Sequence, residues 1–255
     1  MANAVEFKNV VKQFKGAGYP SLDHINLTIE EGELVTILGT SGCGKTTLIK
    51  MINRIYEPTS GEILLFGKNI EEQNITKLRQ QIGYVIQQIG LFPHMTIYNN
   101  IATVPKILKW DKEKIHKRVI ELLQLVNLDP DEFKDRYPSQ LSGGQQQRIG
   151  LIRALAADPD IMLLDEPFGA IDAINRVKLQ NELIKIHEQS KKTFIFVTHD
   201  INEAFKLGTK VLIMDQGKIV QYDTPEAIQI NPANDFVREL IGSGNESYVR
   251  DGEGI

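Results

Sequence analysis

The chain has 255 residues, 42% of them hydrophobic and 24% charged, with 20 Gly beside 10 Pro, which excludes a disordered chain and fits one or two folded domains of ~100–200 residues each. Twenty-nine basic residues against 33 acidic ones leave a net charge of −4, which argues against a strongly basic nucleic-acid binder. No run approaches the ~18 consecutive apolar residues of a membrane span. The N-terminal stretch MANAVEFKNVVKQF is charged where a secretory signal has an apolar core, so a cytosolic chain is expected. The single cysteine, Cys43, allows neither an intramolecular disulfide nor a multi-cysteine metal site.

In chain order, short apolar runs bounded by turn residues predict strands at Val5–Val11, Ile25–Ile29 and Leu34–Leu38. The third runs into GTSGCGKTT and then the helical pattern LIKMINRIY. Gly39, four residues, Gly44, Lys45 and Thr46 thus match the G-x-x-x-x-G-K-[ST] phosphate loop in the strand-to-helix setting that it requires. Glycines at such positions let successive backbone N–H groups, here those of Gly39, Thr40, Ser41, Gly42, Cys43, Gly44, Lys45, Thr46 and Thr47, surround phosphate oxygens at a positive helix end. Lys45 would contact the β- and γ-phosphates, Thr46 would ligate Mg²⁺, and Cys43 reads as a small loop filler.

Glu62–Phe66 and Gly83–Ile86 are the next predicted strands; residues from about 96 to 157 then offer none. Lys112–Asn127 places Ile115, Val119, Leu122, Leu123 and Val126 at helical spacing, as expected of an inserted helical segment. Leu141, Ser142, Gly143, Gly144 and Gln145 then open an apolar-periodic helix, either as a plain loop and cap or as a second helix end for anionic oxygen. Ile161–Asp165 reads as a buried strand presenting two carboxylates at its C-terminal end. Asp165 suits Mg²⁺ and Glu166 suits a general base, the alternative being a solvated acidic turn before Pro167. Thr193–Thr198 leads into His199, placed either to reach a γ-phosphate or as an ordinary surface residue, and into Asp200, a helix N-cap. Lys210–Met214 is the last predicted strand, and residues 241–255 read as a frayed polar tail. Crowded early strands and helix-separated later ones predict an α/β layer beside a small β-sheet.

The ordered set GTSGCGKTT, LSGGQ, IMLLDEP and FVTHD resembles the nucleotide-binding subunit of ATP-binding-cassette (ABC) transporters, over about residues 5–240. The resemblance implies an α/β, P-loop NTPase (ABC ATPase) core in a domain 1–240, with an N-terminal antiparallel β-subdomain and a helical subdomain inserted at about 96–157. CBS modules, which follow in many relatives, are not expected in the tail 241–255. By the same likeness Gly39–Thr47 is the Walker A loop, Asp165 ends Walker B, Glu166 is the catalytic glutamate and His199 the switch histidine. Gln87 is the Q-loop glutamine that senses Mg²⁺ and the attacking water, Asp172 is the D-loop aspartate, and Phe14 stacks on adenine, with Tyr19 as the other placement.

The likeness further implies a head-to-tail homodimer in which Walker A of one chain faces Ser142, Gly143, Gly144 and Gln145 of the other across ATP. Such a dimer works with transmembrane permease subunits at the cytoplasmic face of the membrane, receives solute through them from an extracytoplasmic binding protein, and has no nucleic-acid partner. IQQIGLFPHMTIYNNIATVPKIL and NPANDFVRELIG look most like importers of glycine betaine, carnitine, choline and related osmoprotectants. Cassettes for other solutes, exporter subunits and soluble ABC ATPases of DNA repair or translation are the other classes. The last usually carry two cassettes or a long coiled coil, whereas this chain has one cassette and no sustained heptads.

Overall fold

The computed structural model of the chain describes residues 2–87, 90–169 and 171–250, the last eight by backbone alone. Gln88 and Ile89 beside the Q-loop glutamine, Ala170 of the FGAID stretch and residues 251–255 of the expected tail lie outside the described residues. Two compact units divide the chain: Met1–Leu78 with Thr193–Ile255, and Arg79–Lys192.

The first unit opens with β1 (Asn3–Lys12), β2 (Leu22–Glu30), β3 (Leu34–Gly39), α1 (Lys45–Ile52), β4 (Ser60–Leu65) and β5 (Lys68–Asn69). An antiparallel sheet of order β2-β1-β4-β5 forms from four of these, with Phe7 opposite Leu27 on one side and Ile63 on the other. Along β2 buried and exposed residues alternate, as a sheet with one wet face demands. β3 behaves differently, because all six of its residues are buried. It is covered on both faces, the condition of a parallel strand in an α/β layer.

After α2 (Ile75–Gln80), the second unit contributes β6 (Ile82–Val85), α3 (Ile97–Ile107), α4 (Lys112–Leu125), α5 (Pro130–Phe133), α6 (Gly143–Leu155), β7 (Ile161–Asp165) and α7 (Ala173–Ser190). β6 and β7 pair in parallel, with Tyr84 opposite Leu163. Between residues 97 and 155 every described element is helical, including a 3-10 turn at Pro138–Gln140. The apolar positions Ile115, Val119, Leu122 and Leu123 form the buried face of α4, whose N-cap Asp111 accepts from the Lys114 amide.

The chain then returns to the first unit with β8 (Thr193–Val197), α8 (Ile201–Leu207), β9 (Lys210–Asp215), β10 (Lys218–Asp223), α9 (Pro225–Ile230) and α10 (Asp235–Arg250). Parallel β8 and β9 flank β3, and antiparallel β10 lies outside β9. Leu38, Ala204, Val211, Ile213, Ile228 and Val237 form one core cluster that ties α8, α9 and α10 to this sheet. β5 and β10 have no counterpart among the predicted strands. Both follow two-residue turns with positive φ at each centre, Phe66 and Gly67 before β5, Gln216 and Gly217 before β10, the backbone of a type I′ hairpin. The expected tail also differs, because α10 continues through Gly242 to Arg250. Val237, with Phe236 and Leu240, anchors α10 in the core, and each further residue then needs only propagation rather than nucleation.

Candidate functional site

The first unit holds the phosphate loop. Gly39 has φ +153°, and a Cβ there would lie 2.1 Å from the Met214 carbonyl oxygen; Gly44 has φ +108°, and its Cβ would lie 2.6 Å from the Ser21 carbonyl oxygen. No side chain larger than hydrogen fits either place. Between them Cys43 is buried, and burial pushes its thiol pKa up, so it fills space as the sequence reading assigned. Gly44 is also the N-cap of α1 and supplies no capping side chain, which leaves the positive helix end to backbone alone.

Lys45 is only 7% exposed. Its Nζ donates to the Gly39 and Thr40 carbonyl oxygens at 2.7 and 2.9 Å, which holds the ammonium over the loop. Thr40 donates in turn to Asp215 Oδ1 at 3.2 Å, and the hydroxyls of Thr47 and Ser21 lie 3.0 Å apart. Thr46, the next residue, is half-buried in the first turn of α1.

Beside the loop is an open pocket of about 900 Å³ lined by Thr40, Ser41, Gly42 and Cys43 on one side and by Phe14 and Tyr19 on the other. Both aromatic placements therefore reach the same cavity. They differ in support: Phe14 is 37% exposed and Tyr19 79%. The Phe14 ring meets Tyr56 edge-on at 5.1 Å, and Lys12 Nζ lies 5.2 Å from its centre. A ring held in this way is pre-ordered for stacking, whereas an exposed one must first be immobilised. Phe14→Ala is accordingly expected to weaken nucleotide binding by about 1–3 kcal/mol, the scale of base–aromatic stacking, while inorganic triphosphate binding stays unchanged. Calorimetric titration of both ligands checks this, with Tyr19→Ala as control; loss in the control alone moves the stacking role to Tyr19.

His199 is exposed at the end of β8, in the same unit. Its turn is fixed on both sides. Thr198 Oγ1 donates to buried Glu203 Oε2 at 2.5 Å and accepts from the Asp200 amide at 3.0 Å, and Asp200 caps α8 by accepting from the Glu203 amide at 3.0 Å. Glu203 is a supporting residue that reading along the chain did not single out.

The second unit carries the carboxylates. All five residues of β7 are buried, and Asp165 at its end is 9% exposed. Tyr84 Oη donates to Asp165 Oδ2 at 3.4 Å. Glu166, the next residue, takes φ +47°. A non-glycine residue persists there only where its surroundings hold it, as at functional turns. That twist leads the chain off the strand, and Gln87 Nε2 donates to Glu166 Oε2 at 3.3 Å. Gln87 and Glu166, assigned from separate stretches of sequence, are thus brought together.

Ser142 is the N-cap of α6, and its hydroxyl accepts from the Gln145 amide at 3.3 Å while Gln145 Oε1 accepts from the Ser142 amide at 2.9 Å. This capping box directs both polar side chains to the helix end itself. A Cβ on Gly143 would meet nothing within 4 Å, and one on Gly144 only Asn175 Cβ at 4.0 Å. Asp172 caps α7 through the Asn175 amide at 3.1 Å and side chain at 2.7 Å; the Asn175 side-chain bond, then the backbone one, lowers its pKa. Among the described residues no cluster of three or more His, Cys, Asp or Glu could hold a metal, and no helix is long and apolar enough to cross a membrane.

Residues 22–169 match the ABC transporter family. Over 93% of its length the chain is 55% identical to the glycine betaine/carnitine/choline transport ATP-binding protein OpuCA of Bacillus subtilis, and it spans 62% of that relative's length. The chain thus covers about three-fifths of the curated relative. Among solved structures, the ATP-binding cassette MJ0796, dimeric in a post-hydrolysis state with ADP and Pi, is 36% identical with a TM-score of 0.75, covering 87% of this chain and 98% of that one. Another is cbiO1 from Clostridium perfringens, part of the ABC transporter complex cbiONQ. It is 27% identical with a TM-score of 0.85, and the match covers 99% of this chain and 98% of cbiO1.

Proposed function

Because the chain belongs to the ABC transporter family, we propose that it is the ATP-hydrolysing subunit of an importer, working as a homodimer around two ATP with Mg²⁺ and driving uptake of a quaternary-amine osmoprotectant. The observation that carries the hydrolytic part is the Gln87–Glu166 hydrogen bond at the end of β7, in a chain that also bears a complete phosphate loop. The Lys45 ammonium and the backbone amides of Gly39–Thr47 bind the phosphates, and Phe14 stacks on the base. Glu166 accepts a proton from water as its oxygen attacks the γ-phosphorus and the bond to the leaving ADP oxygen breaks. Gln87 keeps the carboxylate oriented toward that water. His199 contributes its imidazole to the γ-phosphate oxygens from a turn that Glu203 and Asp200 hold.

The donor set suits Mg²⁺. It consists of the Thr46 hydroxyl, the Asp165 carboxylate and the amide oxygen of Gln87, all hard oxygen ligands and only one of them charged, as expected of a site completed by substrate phosphates and water. When bound by these residues, Mg²⁺ would supply charge neutralisation of the phosphate oxygens.

Gly143 and Gly144 support the head-to-tail dimer. The open space where their Cβ atoms would stand means that the fold of this chain does not require glycine at Gly143, so its small size serves a close approach from outside. The phosphates of the second chain's ATP fit that helix end, with Ser142 and Gln145 forming its rim and Asp172 lying at the neighbouring helix start. Permease subunits attach the dimer peripherally to the cytoplasmic face of the membrane, and an extracytoplasmic solute-binding protein or domain delivers the cargo. The similarity to OpuCA over 93% of the chain supports the solute class. A cassette of this kind binds no solute itself, so solute selection lies on another component, through an aromatic cage for the quaternary ammonium.

Deleting the gene is expected to abolish accumulation of radiolabelled betaine-, choline- or carnitine-like solute in cells stripped of redundant transporters. Gln87→Ala is expected to uncouple uptake from hydrolysis, lowering uptake per ATP hydrolysed several-fold, without abolishing ATP binding. Normal quaternary-amine uptake in the deletion strain leaves an ABC importer ATPase for another solute.

A further inference from the structure

We propose that Gln147 is a positioning residue for Glu166, linking helix α6 to the turn that carries the base, so that engagement of the α6 N-terminus is transmitted to hydrolysis in the same chain. The proposal rests on the reading of Glu166 as the general base. Gln147 lies on the second turn of α6, just beyond the Ser142–Gln145 capping box. Its side chain is buried, at 5% exposure, and its Nε2 donates to the carbonyl oxygen of Pro167, the residue that follows Glu166.

The surroundings explain why an amide there acts on the turn rather than merely filling space. Gln147 shares a small cavity wall with Leu151, Leu164, Phe168 and Leu179 as well as the paired Arg148 and Glu182, and a buried amide there is retained because the Pro167 carbonyl satisfies its donor. The turn that it grips holds Glu166 at φ +47°, a conformation that needs outside support. Within the turn the Gly169 amide donates to the Glu166 carbonyl at 3.3 Å and the Ile171 amide to the Phe168 carbonyl at 3.2 Å, and Gln87 holds the Glu166 carboxylate at 3.3 Å. Gln147 adds an anchor on the Pro167 carbonyl from outside the turn.

The origin of that anchor is itself fixed. Arg148, the adjacent residue of α6, pairs with Glu182 of α7 at 2.8 Å, both side chains being mostly buried. Gln147 stands about one turn, ~5.4 Å of rise, from Ser142–Gly144 on the same continuous helix, with the α7 pair as the pivot. A displacement of Ser142–Gly144 toward a bound anion therefore carries the Gln147 amide and the Pro167 carbonyl with it. The geometry couples the helix end offered to one nucleotide with the base that serves another.

The test is a double-mutant cycle on the full chain with Mg²⁺-ATP. Gln147→Met keeps length and bulk but removes the donor, and Glu166→Gln removes the base. Gln147→Met is expected to lower kcat by about 10- to 100-fold, the cost of a small misplacement of a catalytic group, with KM and equilibrium ATP binding unchanged. In the Glu166→Gln background the same substitution is expected to change the residual rate by less than about twofold, since groups acting as one unit are non-additive. An equal fold-loss in both backgrounds, or no loss of kcat in either, overturns the proposal. Should Gln147→Met not fold, Gln147→Asn, which withdraws the amide by one methylene, is carried through the same cycle under the same criteria. Wild-type turnover by Glu166→Gln alone overturns the base assignment, a result distinct from additivity in the cycle.

Discussion

Glu166→Gln is expected to bind ATP as the wild type does and to accumulate as an ATP-bound dimer, while turnover falls by about 10²–10⁴-fold. The substitution is nearly isosteric and leaves Lys45, Thr46 and Asp165 untouched, so the groups proposed to bind phosphate and cation stay in place. The carboxylate is what disappears, and with it the acceptor for the water proton. The bond that Gln87 Nε2 makes to Glu166 Oε2 can be made equally to an amide oxygen, so the turn keeps its shape. Single-turnover hydrolysis together with sizing in the presence of ATP measures both halves; a rate within a few-fold of wild type removes the assignment.

Lys45→Ala is expected to act on binding itself. Its ammonium is nearly enclosed by the loop and bonded to two of its carbonyls, which places a full charge where phosphate would lie. Loss of a hydrogen bond to a charged group costs about 1.5–3 kcal/mol, or roughly 10- to 150-fold in ATP affinity. Turnover at saturating ATP should fall as well, because the same charge offsets the negative charge of the phosphates as it redistributes. The fold should survive, since β3 and α1 are held by apolar residues on either side of the loop. Titration with a non-hydrolysed ATP analogue decides it, and unchanged affinity sinks the role assigned to Lys45.

What could be read along the chain and what could not divides on physical grounds. β3, β7 and β8 are buried along their whole length and predominantly apolar, each with a single polar or charged residue, Thr36, Asp165 or Thr193, and such runs announce themselves. The phosphate loop is as legible, since its glycines, lysine and threonine act within nine consecutive residues. β10 was not legible: its residues KIVQYD are mostly half-buried, and its turn is built on Gln216 and Gly217 rather than the Asn-Gly that signals a hairpin. The helical continuation of α10 was hidden by a glycine-rich composition that a distant anchor at Val237 overrides. Tyr84, Gln147 and Glu203 matter through what they touch in space, at Asp165, Pro167 and Thr198. No local periodicity reports such contacts. Glu166 was assigned from the strand end that it follows and Gln87 from the family likeness; that they bond to each other is visible only in the folded chain.

The way in which β3 acquires its neighbours also dictates when the protein becomes competent during its synthesis. β3 lies between β8 and β9, so a ribosome that has already made Leu34–Gly39 must continue through Thr193–Val197 before one flank exists and through Lys210–Asp215 before both do. The intervening Arg79–Lys192 is a compact unit of its own and can collapse first, which shortens the effective loop that must close. At ~5–20 residues per second, the nascent phosphate loop waits on the order of ten seconds or more beside an unpaired apolar strand. That interval is the window in which the chain is open to aggregation or chaperone capture.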